Sequence, residues 1–197
     1  MSAKQTDVDT EQLIKDTAKR VFFGEGRFNA TTQEIADAAG VNRTLINYYF
    51  RSRDNLLQIV FNDAESEEHK RTEMIVASEL PLKEKISAFL DFFFEQASRY
   101  PYLEMYIVTQ MNQGTCFKDP EMMGRLLDTF YKEIEVEMEK GNISKMNPKQ
   151  FVINMISLTS FPVSMRPMIA HSMGLTDDEY NAILAERKGI ILKTLFK

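Results

Sequence analysis

Chemistry in this 197-residue chain could reside in two histidines, one cysteine, or a short stretch containing arginines. His69 lies in a charged run, and His171 is far from it in sequence. Neither has a cysteine or carboxylate pair around it at metal-ligand spacing, so no metal centre is expected. Cys116 is the sole cysteine, and no base partner is recognisable for it, so the expectation is an inert thiol. Gly114 and Gly124 form no phosphate loop. No catalytic constellation emerges, and the reading is no enzyme activity and no cofactor. The stretch from Asn42 to Arg53 differs in kind: it holds three arginines and no acid, which makes a local basic face.

Such a face works only if helices present it. Thr31-x-x-Glu34 is a capping box, in which a hydroxyl and a carboxylate satisfy the exposed amides at a helix start. Ile35, Ala36 and Ala39 mark the inner side of a short helix. Gly40 supplies the turn, and a second short helix is expected from about Asn42 to Tyr49. Small Ala36 allows the two helices to cross closely, and Ile46 packs the second on the first. That is the steric requirement of a helix-turn-helix, whose second helix can enter a major groove. Upstream, Leu13, Ile14, Thr17, Ala18, Val21 and Phe22 form a helical stripe that ends at Gly24 and Gly26. Downstream, Ser52 can cap a long helix whose later part, 63–73, is charged and reads as a solvated face.

Pro81, Pro101, Pro120 and Pro148 each stand where an apolar-periodic segment begins, and proline suits a first helical turn. Gly141 can close the helix carrying Leu126, Leu127, Phe130, Ile134 and Met138. Pro162 and Pro167 fall inside one expected helix, residues 151–173, and should kink it. Thr176-x-x-Glu179 is a second capping box, and it opens the last helix. No stretch alternates with period two. The fold class expected is all-α: about nine helices, with a three-helix helix-turn-helix domain followed by a helical bundle.

Bulk charge limits where DNA could touch. Net charge is −5 and pI about 5.2, so a globally basic nucleic-acid binder is excluded. Residues 1–60 hold eight basic and eight acidic side chains, so the acidity lies beyond them. A lone cysteine, a polar start and short apolar runs such as 89–94 fit a cytoplasmic protein with no membrane segment.

The segment from Thr31 to Asn55 resembles the tetracycline-repressor-like (TetR) family. The match rests on Thr32, Ile35, Ala36, Ala39, Gly40, Val41, the pair Tyr49-Phe50, and the run Ser52-Arg53-Asp54-Asn55-Leu56. The signature extends over residues 11–60, and beyond it only the helical architecture agrees. The resemblance implies a helix-turn-helix domain over residues 1–55 and an effector-binding and dimerisation domain over 56–197. It implies that Arg43, Thr44 and Asn47 face bases, where arginine suits guanine and asparagine suits adenine. It implies that Thr31, Thr32, Tyr49 and Arg53 hold phosphates. One departure is Asn47, where the family often has tyrosine; a base contact from there is chemically different in this chain.

The resemblance further implies a homodimer that reads a palindromic operator on double-stranded DNA, as a repressor released by a small hydrophobic effector. Beyond residue 80 the chain is rich in aromatics and methionine, which suits an apolar pocket. Phe89, Phe93, Tyr102, Tyr106, Phe130 and Met155 are the candidate lining. Aromatics at helical spacing are also ordinary core, and that reading stays open for each of them. Phe151, Leu158, Ile183, Leu184, Ile191 and Leu195 are the expected dimer-interface residues. The alternative is a DNA-binding architectural or interaction protein controlled by a protein partner rather than by a small ligand.

Overall fold

The computed structural model describes residues 3–114 and 120–197, with side chains from 8–114 and 124–197. Cys116 therefore lies outside the described residues. Among those described there are ten α-helices and no strand. The chain divides into two compact units: residues 1–70 with 99–103, and residues 71–98 with 104–197. No described helix is long and apolar enough to cross a membrane.

The first unit begins with α1 (Ala3–Lys19), which passes directly into a π-helical turn, Arg20–Gly24. Ile14, Ala18, Val21, Phe22 and Phe23 are all fully buried. Three consecutive buried residues span about 200° at 100° per residue, more than one amphipathic face can bury. Here the widened turn coincides with cover from the strap at 99–103. The Tyr102 amide donates to the Phe23 carbonyl at 3.0 Å. The Tyr102 ring lies over Gly26, where a Cβ would come within 2.9 Å of it. Gly26 also has φ +69° and so meets two demands that only glycine meets cheaply. Tyr102, expected in an effector pocket, thus packs in this unit.

α2 (Thr32–Ala39), α3 (Arg43–Phe50) and the start of α4 (Arg53–Ala77) complete the first unit. Ile35, Ala36, Ile46, Phe50, Leu56 and Val60 close its core. The charged stretch of α4 is not solely solvated. Glu67 meets Lys19 at 3.4 Å and Asp63 meets Lys15 at 3.7 Å, both on α1.

The second unit contains α5 (Leu82–Arg99, whose last residue joins the strap), α6 (Leu103–Asn112, whose first residue does likewise), α7 (Pro120–Glu139), α8 (Pro148–Ser164), α9 (Arg166–Met173) and α10 (Asp177–Leu195). The four expected prolines stand at or just before the starts of α5, α6, α7 and α8. One core cluster joins Leu82, Ile86 and Leu90 of α5, Phe130, Ile134 and Met138 of α7, Phe151, Val152 and Met155 of α8, and Ile191 and Leu195 of α10. Lys85 is buried beside this core. Its ammonium donates to Glu133 Oε1 at 2.7 Å and to the Val76 carbonyl at 2.8 Å, tying α5 to α7 and to the end of α4.

The helix expected over residues 151–173 is two helices, not one kinked helix. α8 ends at Ser164, Met165 is the junction, and Pro167 sits in the first turn of α9. Pro162 has no N–H to give the Leu158 carbonyl. Arg187 of α10 donates to that carbonyl at 2.8 Å instead. The helix break leaves the Pro162 carbonyl without a helical donor, and the Tyr180 hydroxyl donates to it at 2.6 Å. The last helix thus replaces bonds that proline and the break remove from α8.

Candidate nucleic-acid interface

The interface is built from the α2–turn–α3 segment. Thr31 caps α2 with its side chain, accepting from the Glu34 amide at 3.2 Å. The Glu34 carboxylate accepts from the Thr31 amide and hydroxyl, each at 2.8 Å. Those bonds, the backbone one foremost, and the Arg27 guanidinium hold the Glu34 carboxyl below the usual carboxylate range. Gly40 then adopts φ +66°, ψ +30°, its amide capping the end of α2. Asn42 starts α3: its side-chain oxygen accepts from the Thr44 amide at 2.9 Å and from the Thr44 hydroxyl at 2.8 Å.

This geometry decides what α3 presents. Ile46 and Phe50 are buried, whereas Arg43, Thr44, Asn47 and Tyr48 are exposed. At 100° per residue these four fall within about 140° of one another, on one face. Arg43 and Asn47 are one turn apart, so the two side chains best suited to paired hydrogen bonds with guanine and adenine stand in line. The donor of Thr44 is committed to Asn42, which leaves its oxygen to accept.

The expected phosphate residues are dispersed differently. Thr31 is exposed but engaged in the capping box; Thr32 and Tyr49 are half-buried. Arg53 turns inward. Its Nε donates to the Ala30 carbonyl at 3.1 Å, Nη1 meets Asp54 at 2.7 Å, and the guanidinium lies 5.3 Å from the Phe22 ring centre. Arg53 Nη2 is buried without a protein partner.

The sequence leaves Tyr48 open between core packing and contact, and it does not single out Arg51. Tyr48 is 69% exposed, its ring edge-on to Tyr49 at 4.9 Å, so the outer face of α3 carries an unburied aromatic. Arg51 is exposed at φ +67°, ψ −46°, the only non-glycine residue with positive φ among those described. Ser52 N–H bonds back to the Phe50 carbonyl at 2.7 Å, which makes a γ-turn of the rare, strained hand. Such a conformation costs on the order of 1–3 kcal/mol and persists only where its surroundings hold it. Here the Arg51 amide donates to the Asn47 carbonyl at 3.1 Å, and Asn55 Nδ2 donates to the Phe50 carbonyl at 2.9 Å. The 43/47/51 spacing would have flagged Arg51, but no sequence pattern gives its backbone angle.

The residues expected in the second domain separate by burial. Phe130 and Met155 belong to the core cluster, with Phe89 packed against it; Phe93 is buried and Tyr106 half-buried. Of the expected interface residues, Phe151, Ile191 and Leu195 are buried within the single chain. Leu158 and Leu184 are half-buried and Ile183 is exposed. His69 and His171 fall in different units. No group of three or more metal-ligating side chains occurs among the described residues.

A capped helix-turn-helix with an exposed, acid-free outer helix, in described residues that hold helices and no strand, is the architecture that helix-turn-helix DNA-binding regulators use. Residues 14–60 match the family described as bacterial regulatory proteins, tetR family. Over those residues the chain carries the N-terminal domain of that family, whose regulators are transcription factors rather than enzymes.

Solved structures agree along almost the whole length. A TetR-family regulator from Marinobacter aquaeolei VT8 is 14% identical with a TM-score of 0.56, over 98% of this chain and 99% of that one. A TetR-like regulator from Rhodococcus sp. RHA1 is 16% identical with a TM-score of 0.59, over 93% and 96%. A putative fatty acid metabolism regulator from Clostridium perfringens is 16% identical with a TM-score of 0.56, over 93% and 98%. At these identities the likeness is one of fold. No match to a curated protein sequence is found.

Proposed function

We propose that the protein is a homodimeric repressor that binds a palindromic operator and is released by a small hydrophobic effector. The observation that carries this reading is the outer face of α3, where Arg43 and Asn47 stand one turn apart on a helix that contains no acid. In a major groove, Arg43, Thr44 and Asn47 read base edges. Thr31, Thr32 and Tyr49 hold flanking phosphates, with a cation from the end of the same helix. Two such helices about 34 Å apart fit successive major grooves, which requires a two-fold dimer.

The second unit supplies a dimer face of fitting chemistry. Ile153 and Ile156 on α8 and Ile183 and Ile190 on α10 are each 41–54% exposed in the single chain, and α8 packs against α10. Apolar side chains left exposed on neighbouring helices are what an interface between copies buries. The aromatic and methionine side chains of α5, α6, α7 and α8 support an apolar effector. Its occupancy would favour the form whose reading heads no longer match the two half-sites.

The test is selection of fragmented host DNA by the purified protein at stated moderate salt, followed by sequencing of the bound fraction. Fragments sharing an inverted repeat support a dimeric sequence-specific regulator. Recovery of random DNA, or of none, refutes that reading.

A further inference from the structure

We propose that Arg51 is the cation that ties the C-terminal end of the recognition helix to a DNA phosphate, while Arg53, where the family resemblance puts that contact, serves as an internal clamp. This rests on the DNA-binding reading above and adds the residue and its role.

Three observations carry it. First, Arg51 stands immediately past the C-terminal end of the reading helix. Arg43, Asn47 and Arg51 follow one another at four-residue steps, and all three are exposed. Second, the two arginines at this helix end are disposed oppositely. Arg53 has three engagements, with the Ala30 carbonyl, Asp54 and the Phe22 ring. Among the described residues the Arg51 side chain has no hydrogen-bond or ion-pair partner, so its charge is available. Third, the backbone holds Arg51 in the γ-turn described above, a position glycine would occupy with less strain. Eight residues of helix at 1.5 Å each place the Arg51 Cα about 12 Å along the axis from that of Arg43. The major groove is about 12 Å wide, so a helix with Arg43 at the base edges brings its far end to the phosphate rim. A guanidinium there releases a counterion, a contribution that is independent of sequence and dependent on salt.

A cation at a helix C-terminus also stabilises the helix through its dipole, so the test must separate the two roles. Full-length wild type, Arg51→Ala, Arg51→Lys, Arg51→Gly, Arg53→Ala and, as a control in the other unit, Lys193→Ala would be titrated against one labelled mixed-sequence DNA duplex. KCl would be stepped from about 50 to 200 mM, the range over which phosphate contacts change affinity steeply. Melting curves would be recorded for each protein.

The expected result for Arg51→Ala and Arg51→Gly is a several-fold loss of affinity and a salt slope shallower by about one per arginine engaged. Arg51→Lys keeps the slope, and Lys193→Ala matches wild type. Arg51→Gly melts at or above wild type while binding less, and Arg53→Ala melts lower. An unchanged slope in Arg51→Ala beside a binding wild type overturns the proposal. So does a larger slope loss in Arg53→Ala than in Arg51→Ala. A lower melting point in Arg51→Ala with no binding change assigns the residue to the helix dipole instead. A wild type that binds no duplex at any salt refutes the DNA-binding reading itself, and the proposal falls with it.

Discussion

At the scale of single residues, the outer face of α3 and one half-buried carboxylate make the sharpest expectations. Replacing Arg43 or Asn47 by alanine should weaken operator binding by about 1–3 kcal/mol each, the worth of a paired base contact. Both are exposed and uninvolved in the core, so thermal melting should not change. Titration of the selected operator with each variant checks this, and a variant that melts like wild type and binds as tightly removes its residue from the reading set.

Glu104 offers a test of a different kind. Burial pushes its carboxyl above the usual range, and a hydrogen bond from the Ser160 hydroxyl only partly offsets this. The folded protein therefore holds the Glu104 proton more tightly than the unfolded chain does. Stability falls as pH rises from the ordinary glutamate range to the raised value, and stays reduced above it. Glu104→Gln removes the charge and keeps an acceptor for Ser160. It should melt above wild type at neutral pH, with the advantage vanishing in acid; an advantage that persists at low pH contradicts the assignment.

At the scale of elements, the break between α8 and α9 shows how a local defect is repaired from elsewhere. Pro162 removes the donor that the Leu158 carbonyl would have had, and Arg187 provides another. Arg187→Met keeps most of the packing and leaves that carbonyl unpaired, which should cost about 1–3 kcal/mol in chemical denaturation. A loss below a few tenths would mean that water serves the carbonyl equally well. Punctuation inside elements was legible in the sequence: the Thr31–Glu34 and Thr176–Glu179 boxes, the Ser52 cap and the Gly40 turn all form. They depend on partners within a few residues. The split at Met165 was not legible, because two prolines five residues apart suit a kinked helix as well as two helices.

At the scale of the whole molecule, the proposed function requires two copies. In the proposed dimer, Ile156→Asp combined with Ile183→Asp would place charge in an apolar contact. Both residues are at the surface of the single chain, so the fold should survive. Light scattering should then report a monomer, and operator affinity should fall steeply as one half-site is left unread. A double variant that remains dimeric puts the interface elsewhere. The interface expected from sequence included Phe151, Ile191 and Leu195, which the core of one chain already buries. An apolar helical stripe does not reveal whether it packs on its own chain or on a copy.

The sequence by itself determined most of the helices, their caps and the turn between α2 and α3, because a capping box, a glycine turn and a 3.6-residue period act within a few residues of one another. Tertiary structure decided where side chains of equivalent type go. Tyr102 and Phe93 are both aromatics expected in one effector pocket, but one packs over Gly26 in the first unit and the other is buried in the second unit. Arg51 and Arg53 are two positions apart, but one is exposed on a strained turn and the other is drawn inward by Ala30 and Phe22, from segments more than 20 residues upstream. Those choices depend on contacts between residues distant in the chain, and local pattern carries no record of them.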